Sequence, residues 1–313
     1  MKLQQLSALI ALVDAGSLRG AARELGVTQP ALGARIAELE RVVGASLVQR
    51  NARGTTLTNV GHALLGHARI IFNQMDKAQA DIAQITNSGA PTVALGASPV
   101  AARELIAPLF HAFQSKAAGA LLRIKEGQFH DLATELREGG LEMILAPIPP
   151  GAKDSKAFRF EQLVTYPMHV VARAGHPLAD CRRLADLFDA AWVVGAATSA
   201  RRSTIEEVYA SHGLPRPTIE LHSDAITVVQ ACLLQTDLLG LLPAPLFAPL
   251  GDGVVALPIE DPIRPLQFGV ITLAGVPLSP AAKLFTGLVR QRSEEIAASL
   301  AKKRRTATVS SNI

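Results

Sequence analysis

Residues 17–40 read SLRGAARELGVTQPALGARIAELE, and the reading of this stretch decides the fold. Ser17 has the chemistry of a helix N-cap, and Ala21, Ala22 and Leu25 share one face of the turns that follow. Gly26 supplies a stop, because a left-handed residue costs glycine nothing. Thr28 is a second N-cap, with Gln29 and Pro30 in the first turn, where a missing N–H does no harm. Leu32, Ile36, Leu39 and Val43 then recur every three or four residues, the buried stripe of a second helix. Its other face carries Gln29, Gly33, Ala34, Arg35, Glu38 and Arg41. Two short helices about a tight turn, the second small and polar on its outer N-terminal face, suit a reader of the DNA major groove. An ordinary helical hairpin would carry the same caps, so the flanking residues have to decide.

They favour DNA. Residues 3–15 form a preceding helix with Leu6, Leu9, Ile10 and Val13 on one face. After Gly44 comes ASLVQRNARGTTLT, two extended runs around a Gly turn, which predicts a β-hairpin. A hairpin in this place is a wing, and Arg50 and Arg53 on it can reach phosphates or the minor groove. Thr58 then caps a long helix. Within it Leu64, Ala68, Ile71, Met75, Ala78, Ile82 and Ile85 alternate steps of four and three, a coiled-coil spacing that predicts a homodimer through this helix.

The chain has 313 residues, 49% hydrophobic and 19% charged, which describes folded domains rather than a disordered chain. Aromatics make up only 4%, so the cores must be aliphatic. No apolar run reaches membrane-spanning length, and the N-terminal tract lacks a convincing cleavage site, so the expected location is the cytoplasm, with no membrane partner. Two cysteines, Cys181 and Cys232, are too few for a disulfide framework or a metal site. Residues 1–58 carry seven basic and four acidic side chains, whereas residues 89–300 carry eighteen and twenty-one. A basic module that meets phosphates thus precedes one that does not.

Asn87-Ser88-Gly89-Ala90-Pro91 reads as a hinge. Beyond it strands and helices alternate: TVALGAS, PVAARELIAPLFHAFQ, ALLRIKEG, QFHDLATELREGG and LEMILAP, then strands MHVVARA, AWVVGAA and TIELH with helices near 200–212 and 225–235. Such α/β units bind ligands at the carboxyl ends of their strands, beside helix N-termini.

These features together resemble the LysR-type transcriptional regulators. The resemblance rests on GSLRGAARELGVTQPALGARIAELE, LVQRNARGTTLT, VALGAS, LRIKEGQFHDLATELREGGLEMILA and GHPLAD, and it runs through nearly the whole chain. The chain departs from the family pattern at Gly33, often Ser, at Asn59, often Pro, and at Glu142, often Asp. The resemblance implies a multidomain α+β and α/β protein: a winged helix-turn-helix at 1–58, a linker and dimerisation helix at 59–88, and a regulatory domain at 89–300. That domain would resemble a periplasmic binding protein, with lobe one at 91–163 and 266–300 and lobe two at 164–265. It further implies a homotetramer, a small-molecule effector and contact with RNA polymerase. Residues 301–313, with Lys302, Lys303, Arg304 and Arg305, are expected to be a disordered basic tail.

The expected DNA contacts are Ser17, Thr28, Gln29, Pro30, Ala31, Gly33, Arg35, Arg50 and Arg53. For the effector, Ser98 caps the first helix after a strand, with Pro99 behind it, and leaves N–H groups facing the cleft. Thr198 and Ser199 open a helix from the other lobe, with Arg201 just behind, and Gln128 starts a third. Ala146 at a strand end and Ser223 at a helix head complete the set. Paired helix starts favour a small organic anion, an aromatic carboxylate or sulfonate; each hydroxyl alone would equally serve as a plain cap, worth about 1 kcal/mol. GxSxG, HExxH and CxxC patterns are all missing from the sequence, and His130 beside Asp131 reads as a surface pair. The chain is therefore expected to be no enzyme and to need no cofactor or metal. The competing reading is a cytoplasmic small-molecule binding protein or enzyme whose N-terminal helices serve only oligomerisation; it predicts no preference among DNA fragments.

Overall fold

The computed structural model describes residues 1–51, 54–85, 90–152, 155–195 and 204–310. They fall into two compact units, one of residues 1–89 with 134–141, the other of residues 90–133 with 142–313.

The first unit begins with three helices, α1 (Leu3–Asp14), α2 (Leu18–Glu24) and α3 (Gln29–Val43). An antiparallel hairpin follows, β1 (Val48–Asn51) and β2 (Gly54–Leu57), with Val48 opposite Leu57. Helix α4 (Asn59–Ile85) completes it. The apolar stripes converge as their spacing requires: Leu6, Leu9, Leu12, Leu32, Ile36 and Leu39 are all buried in one core. Each such side chain contributes about 1.5–3 kcal/mol through removal from water. Glu40 joins α3 to the hairpin, its Oε1 accepting from Leu47 N at 2.7 Å and Val48 N at 3.2 Å. Thr58 Oγ1 accepts from Gly61 N at 3.0 Å and donates to Ser46 O at 2.7 Å, which fixes the start of α4. Arg69 pins α4 to α1 through Asp14 at 2.7 Å.

The four-and-three spacing on α4 divides into two parts. Ala68 is fully buried in the core of its own unit, and Leu64 and Ile71 pack against that core. Met75, Ala78 and Ile82 are exposed, Ile82 by 61%. Ile85 is helical in backbone, but its side chain lies outside the described residues.

The second unit holds two sheets. The first has the order β4-β3-β5-β12-β6, with β3 (Thr92–Ala97), β4 (Leu121–Glu126), β5 (Met143–Pro147), β6 (Phe158–Tyr166) and β12 (Leu266–Leu273). Strand β3 pairs in parallel with β4 and β5, and β12 runs antiparallel to β5 and β6. Helices α5 (Pro99–Ala101) and α6 (Ala107–Lys116) belong to this lobe, and α7 (Phe129–Arg137) begins in it. The second sheet comprises β7 (Met168–Arg173) between β10 (Gly240–Pro243) and β11 (Val254–Ala256), with the parallel pair β8 (Ala191–Val194) and β9 (Thr218–His222) attached. A parallel bridge from Trp192 to Leu239 makes that attachment. Helices α8 (Thr204–Ser211), α9 (Ile226–Gln235) and α10 (Ala244–Phe247) belong to this second lobe. Few aromatics suffice because they pair edge to face: Phe113 with Phe285 at 5.2 Å, Trp192 with Tyr209 at 5.9 Å. Burial pushes the Tyr209 phenol up to about 12, and its hydroxyl donates to Leu187 O at 3.1 Å.

Three features differ from the sequence expectation. The first sheet extends beyond residue 163, because Val164 and Tyr166 are buried and pair with Phe268 and Leu266 of β12. Strands β6, β10, β11 and β12 carry no clean alternation, and sequence reading assigned none of them. Finally, helix α11 runs from Pro280 to Ser310, so the backbone stays helical where a disordered tail was expected from Ala301. After Gly287 the segment LVRQRSEEIAASLAKKRRTATVS contains no Gly or Pro to end it, and its Ala, Leu, Lys and Arg are strong helix formers. No helix among the described residues is long and apolar enough to cross a membrane.

Candidate functional site

In the first unit the candidate surface is the outer face of α3. Thr28 Oγ1 accepts from Ala31 N at 3.3 Å, and Ser17 Oγ caps α2 by accepting from Gly20 N at 3.1 Å. Gly26 (φ +64°) and Gly44 (φ +75°) take left-handed conformations that end α2 and α3. Leu32, Ile36 and Leu39 are buried behind, which leaves Thr28, Gln29, Pro30 and Ala31 exposed and Gly33 and Arg35 half-buried. A small, rigid N-terminal end with free donors and acceptors is what a groove-reading helix needs. Arg35 has no hydrogen-bond or ion-pair partner among the described residues. Arg41, by contrast, is engaged with Glu38 at 2.6 Å, and that hydrogen bond holds the Glu38 carboxyl below its usual range. On the wing, Arg50 lies on β1 opposite Thr55, but its side chain lies outside the described residues, as does Arg53 altogether.

The second unit contains a cavity of about 400 Å³. A smaller one of about 120 Å³ shares Gln128, Pro147, Met168, Thr204 and Leu266 with it. Gln128 therefore sits at the junction, at the start of α7, with its backbone N–H donating to Asp131 Oδ2 at 3.1 Å. Ser223 lines the smaller cavity and Pro99 lies beside it. Ser223 Oγ also accepts from Ala225 N at 3.2 Å. Ser98 is only 1% exposed; its backbone N–H donates to Leu145 O at 2.9 Å, and its Oγ lies 3.5 Å from Ala101 N. Ala146 is fully buried in the first sheet, opposite Gly269, and is in neither cavity wall. Thr198, Ser199 and Arg201 lie outside the described residues.

Sequence reading missed Met168, Thr204, Arg264 and Gln267, which all line the larger cavity. Three of them stand at or beside the crossing strands, at the start of β7 and the approach to β12. Identifying those strands would have pointed to them.

Ser211 lines the larger cavity and lies 3.2 Å from His212 Nδ1, a pairing that suggests a nucleophile and base. However, His212 Nδ1 is 2.9 Å from Val208 O, so this nitrogen carries the proton and cannot take one from serine. Ser211 Oγ itself donates to Val208 O at 2.7 Å. His130 pairs with Asp131 at 3.1 Å, both exposed, as the sequence suggested. Deeper in the second lobe, His169 packs edge to face on Phe247 at 5.6 Å, and burial lowers its pKa. Among the described residues no cluster of His, Cys, Asp and Glu could hold a metal.

Comparison with known proteins agrees with this division. Residues 3–62 match the model of the bacterial regulatory helix-turn-helix protein, lysR family, and residues 86–294 match that of the LysR substrate binding domain. The HTH-type transcriptional regulator GbpR of Azospirillum brasilense is 26% identical over 300 residues, covering 94% of this chain and 87% of that protein. An SDS degradation transcriptional activation protein of Pseudomonas sp. is 28% identical over 296 residues, covering 92% and 95%. Among solved structures, full-length CbnR complexed with its target DNA is similar with a TM-score of 0.67 at 18% identity, covering 93% of this chain and 100% of that one.

Proposed function

Because the chain belongs to the LysR family of transcriptional regulators, we propose that it reads a two-part operator as a dimer and is switched by a small organic anion held in its second unit. It is a DNA-binding regulator with an effector-binding domain, not an enzyme. The observation that carries the operator reading is α3: its inner face is buried, Thr28 and Gly44 fix its ends, and its exposed N-terminal end presents Gln29, Pro30 and Ala31. Gln29 and Arg35 read base edges, Ser17, Thr28 and the wing arginines Arg50 and Arg53 position the helix on phosphates, and Gly33 lets the helix approach the DNA closely.

The exposed stretch Met75, Ala78 and Ile82 of α4 supports dimerisation, since apolar side chains at coiled-coil spacing gain from a second copy. A dimer matches the two-fold symmetry of paired half-sites, and two dimers through the second unit give a tetramer. The effector sits where Gln128 joins the two cavities, with Ser223 in the wall of the smaller one and Ser98 capping the helix start beside it. It acts by preferring one arrangement of the two lobes, because a ligand shifts an equilibrium only through unequal affinity for its two states.

The test is a gel shift with DNA from just upstream of the protein's own gene. Binding should exceed that to random DNA and weaken steeply as salt rises, through release of counterions. Equal, salt-insensitive binding to both fragments would refute the operator reading. A panel of small carboxylates and sulfonates should then change operator affinity or footprint; tight binding of neutral sugars instead would refute the anion.

A further inference from the structure

We propose that the larger cavity seats the apolar body of the effector and that Arg264 at its rim reads the effector's negative charge. This rests on the effector reading above and specifies its ligand as an amphiphilic anion.

The cavity has the size of a site for a drug-sized molecule rather than a simple ion. Its wall is apolar over Phe129, Ile148, Met168, Val208 and Leu266. Phe129 is held edge to face against Phe158 at 5.2 Å and Phe160 at 5.4 Å, so the wall offers a fixed aromatic edge. Four further lining residues, Pro147, Pro149, Pro150 and Pro265, have no backbone N–H. An anion lying against them cannot be cradled by the main chain, as it can at a helix N-terminus. Away from the start of α7, a side chain has to meet its charge.

Arg264 is the only Lys or Arg among the described lining residues of either cavity. It has no hydrogen-bond or ion-pair partner among the described residues. The acids nearest in sequence are already engaged: Glu260 pairs with Arg182 at 2.7 Å, and Asp261 accepts from Leu184 N at 2.5 Å. Elsewhere in the same unit Arg173, Arg183, Arg290 and Arg292 have acidic partners, and Arg103 and Arg216, which like Arg264 have none among the described residues, line neither cavity. Pro265 biases the Arg264 backbone away from the helical region. On the opposite side of the balance, Glu207 and Thr204 in the wall already hold interactions of their own. Gln128 and Gln267 add neutral amides that can bond the ligand without cancelling its charge.

The probe is 8-anilinonaphthalene-1-sulfonate, set against N-phenyl-1-naphthylamine, which has the same rings without the sulfonate. Both are titrated into the full-length protein by fluorescence. The sulfonate should bind about tenfold more tightly than the neutral amine, the contribution of one charge-assisted pair that closes on binding. Arg264→Gln should abolish that preference and leave the neutral affinity unchanged, and Arg264→Lys should restore part of it. Ile148→Trp, which fills the chamber, should weaken both dyes. Equal affinities in the wild type, a preference that survives Arg264→Gln, or no binding of either dye overturns the proposal. Operator gel shifts run on the same samples separate this from the wider reading. If small organic anions alter operator affinity while the dyes fail these tests, only the assignment of the chamber and Arg264 falls. If no anion alters operator affinity, the effector reading itself falls.

Discussion

Gly33 and Gly61 both lie in helices of the first unit, yet the same substitution by alanine should move stability in opposite directions. At Gly33 on α3, an added Cβ meets nothing within 4 Å. Alanine there restricts the unfolded chain and fits the helix, so Gly33→Ala should stabilise by about 0.5–1 kcal/mol. At Gly61 on α4, an added Cβ would overlap the Leu47 carbonyl oxygen and crowd Leu57 Cδ2 at 3.1 Å. Leu47 O also accepts from Thr58 N at 2.9 Å, so α4 cannot move off the hairpin without loosening the Thr58 bonds. Overpacking of this kind costs about 1–3 kcal/mol. The helix-propensity gain offsets at most about 1 kcal/mol of that, leaving Gly61→Ala destabilised. The assay is hydrogen exchange by mass spectrometry on the full-length protein, comparing peptides from α1 to the start of α4. One kcal/mol is roughly a fivefold change in the open population, so α3 amides should exchange more slowly in Gly33→Ala and faster in Gly61→Ala. Trp192, the only tryptophan in the chain, lies in the second unit, and its fluorescence transition in urea should not move. Shifts of the same sign at both glycines, or destabilisation by Gly33→Ala, would refute the reasoning.

Arg35→Ala should weaken operator binding by about 1–3 kcal/mol while affecting random DNA much less; equal losses in a gel shift would exclude base reading. Gly269→Ala should strongly destabilise the second unit, because its Cβ would overlap the Glu161 carbonyl where β12 shifts register; Trp192 fluorescence in urea reports it. The lowered pKa of His169 means the unfolded chain takes up a proton first on acidification, so its contribution is intact above about pH 6.5 and is lost between 6.5 and the depressed folded value. His169→Phe should flatten that part of a stability profile. Glu161 forms a fork with Arg290 at 2.6 and 2.9 Å, and its lowered pKa gives stability that is complete above 4.5 and lost as pH falls further. Both side chains are substantially exposed, so Glu161→Gln should remove under about 1 kcal/mol, read as a smaller loss of urea midpoint on acidification.

The first unit was largely legible because its signals are local. Caps at Ser17 and Thr28, stops at Gly26 and Gly44, and the Leu32–Ile36–Leu39 stripe each depend on neighbours within a turn or two. The effector cleft was legible only in part. Gln128 and Ser223 announce themselves as helix starts, and both line cavities. Arg264 and Met168 gave no local sign. They reach the cavity because β7 and β12, distant in sequence, begin close together at the crossing between lobes.

By itself the sequence determined where helices begin and end around Ser17–Glu40, that a wing follows, and that an α/β region lies beyond the hinge. These properties are written in caps, glycines and the spacing of apolar residues, which act over a few residues of backbone. Tertiary structure decided which partner covers each apolar face. Spacing alone makes Leu64, Ala68, Ile71, Met75, Ala78 and Ile82 one seam, whereas folding buries Ala68 in its own core and leaves Met75 and Ile82 exposed. It also decided which polar groups are paired: Glu260 and Asp261 find partners far along the chain, and Arg264 finds none among the described residues. Burial and pairing depend on contacts between residues far apart in sequence, and no local pattern encodes them.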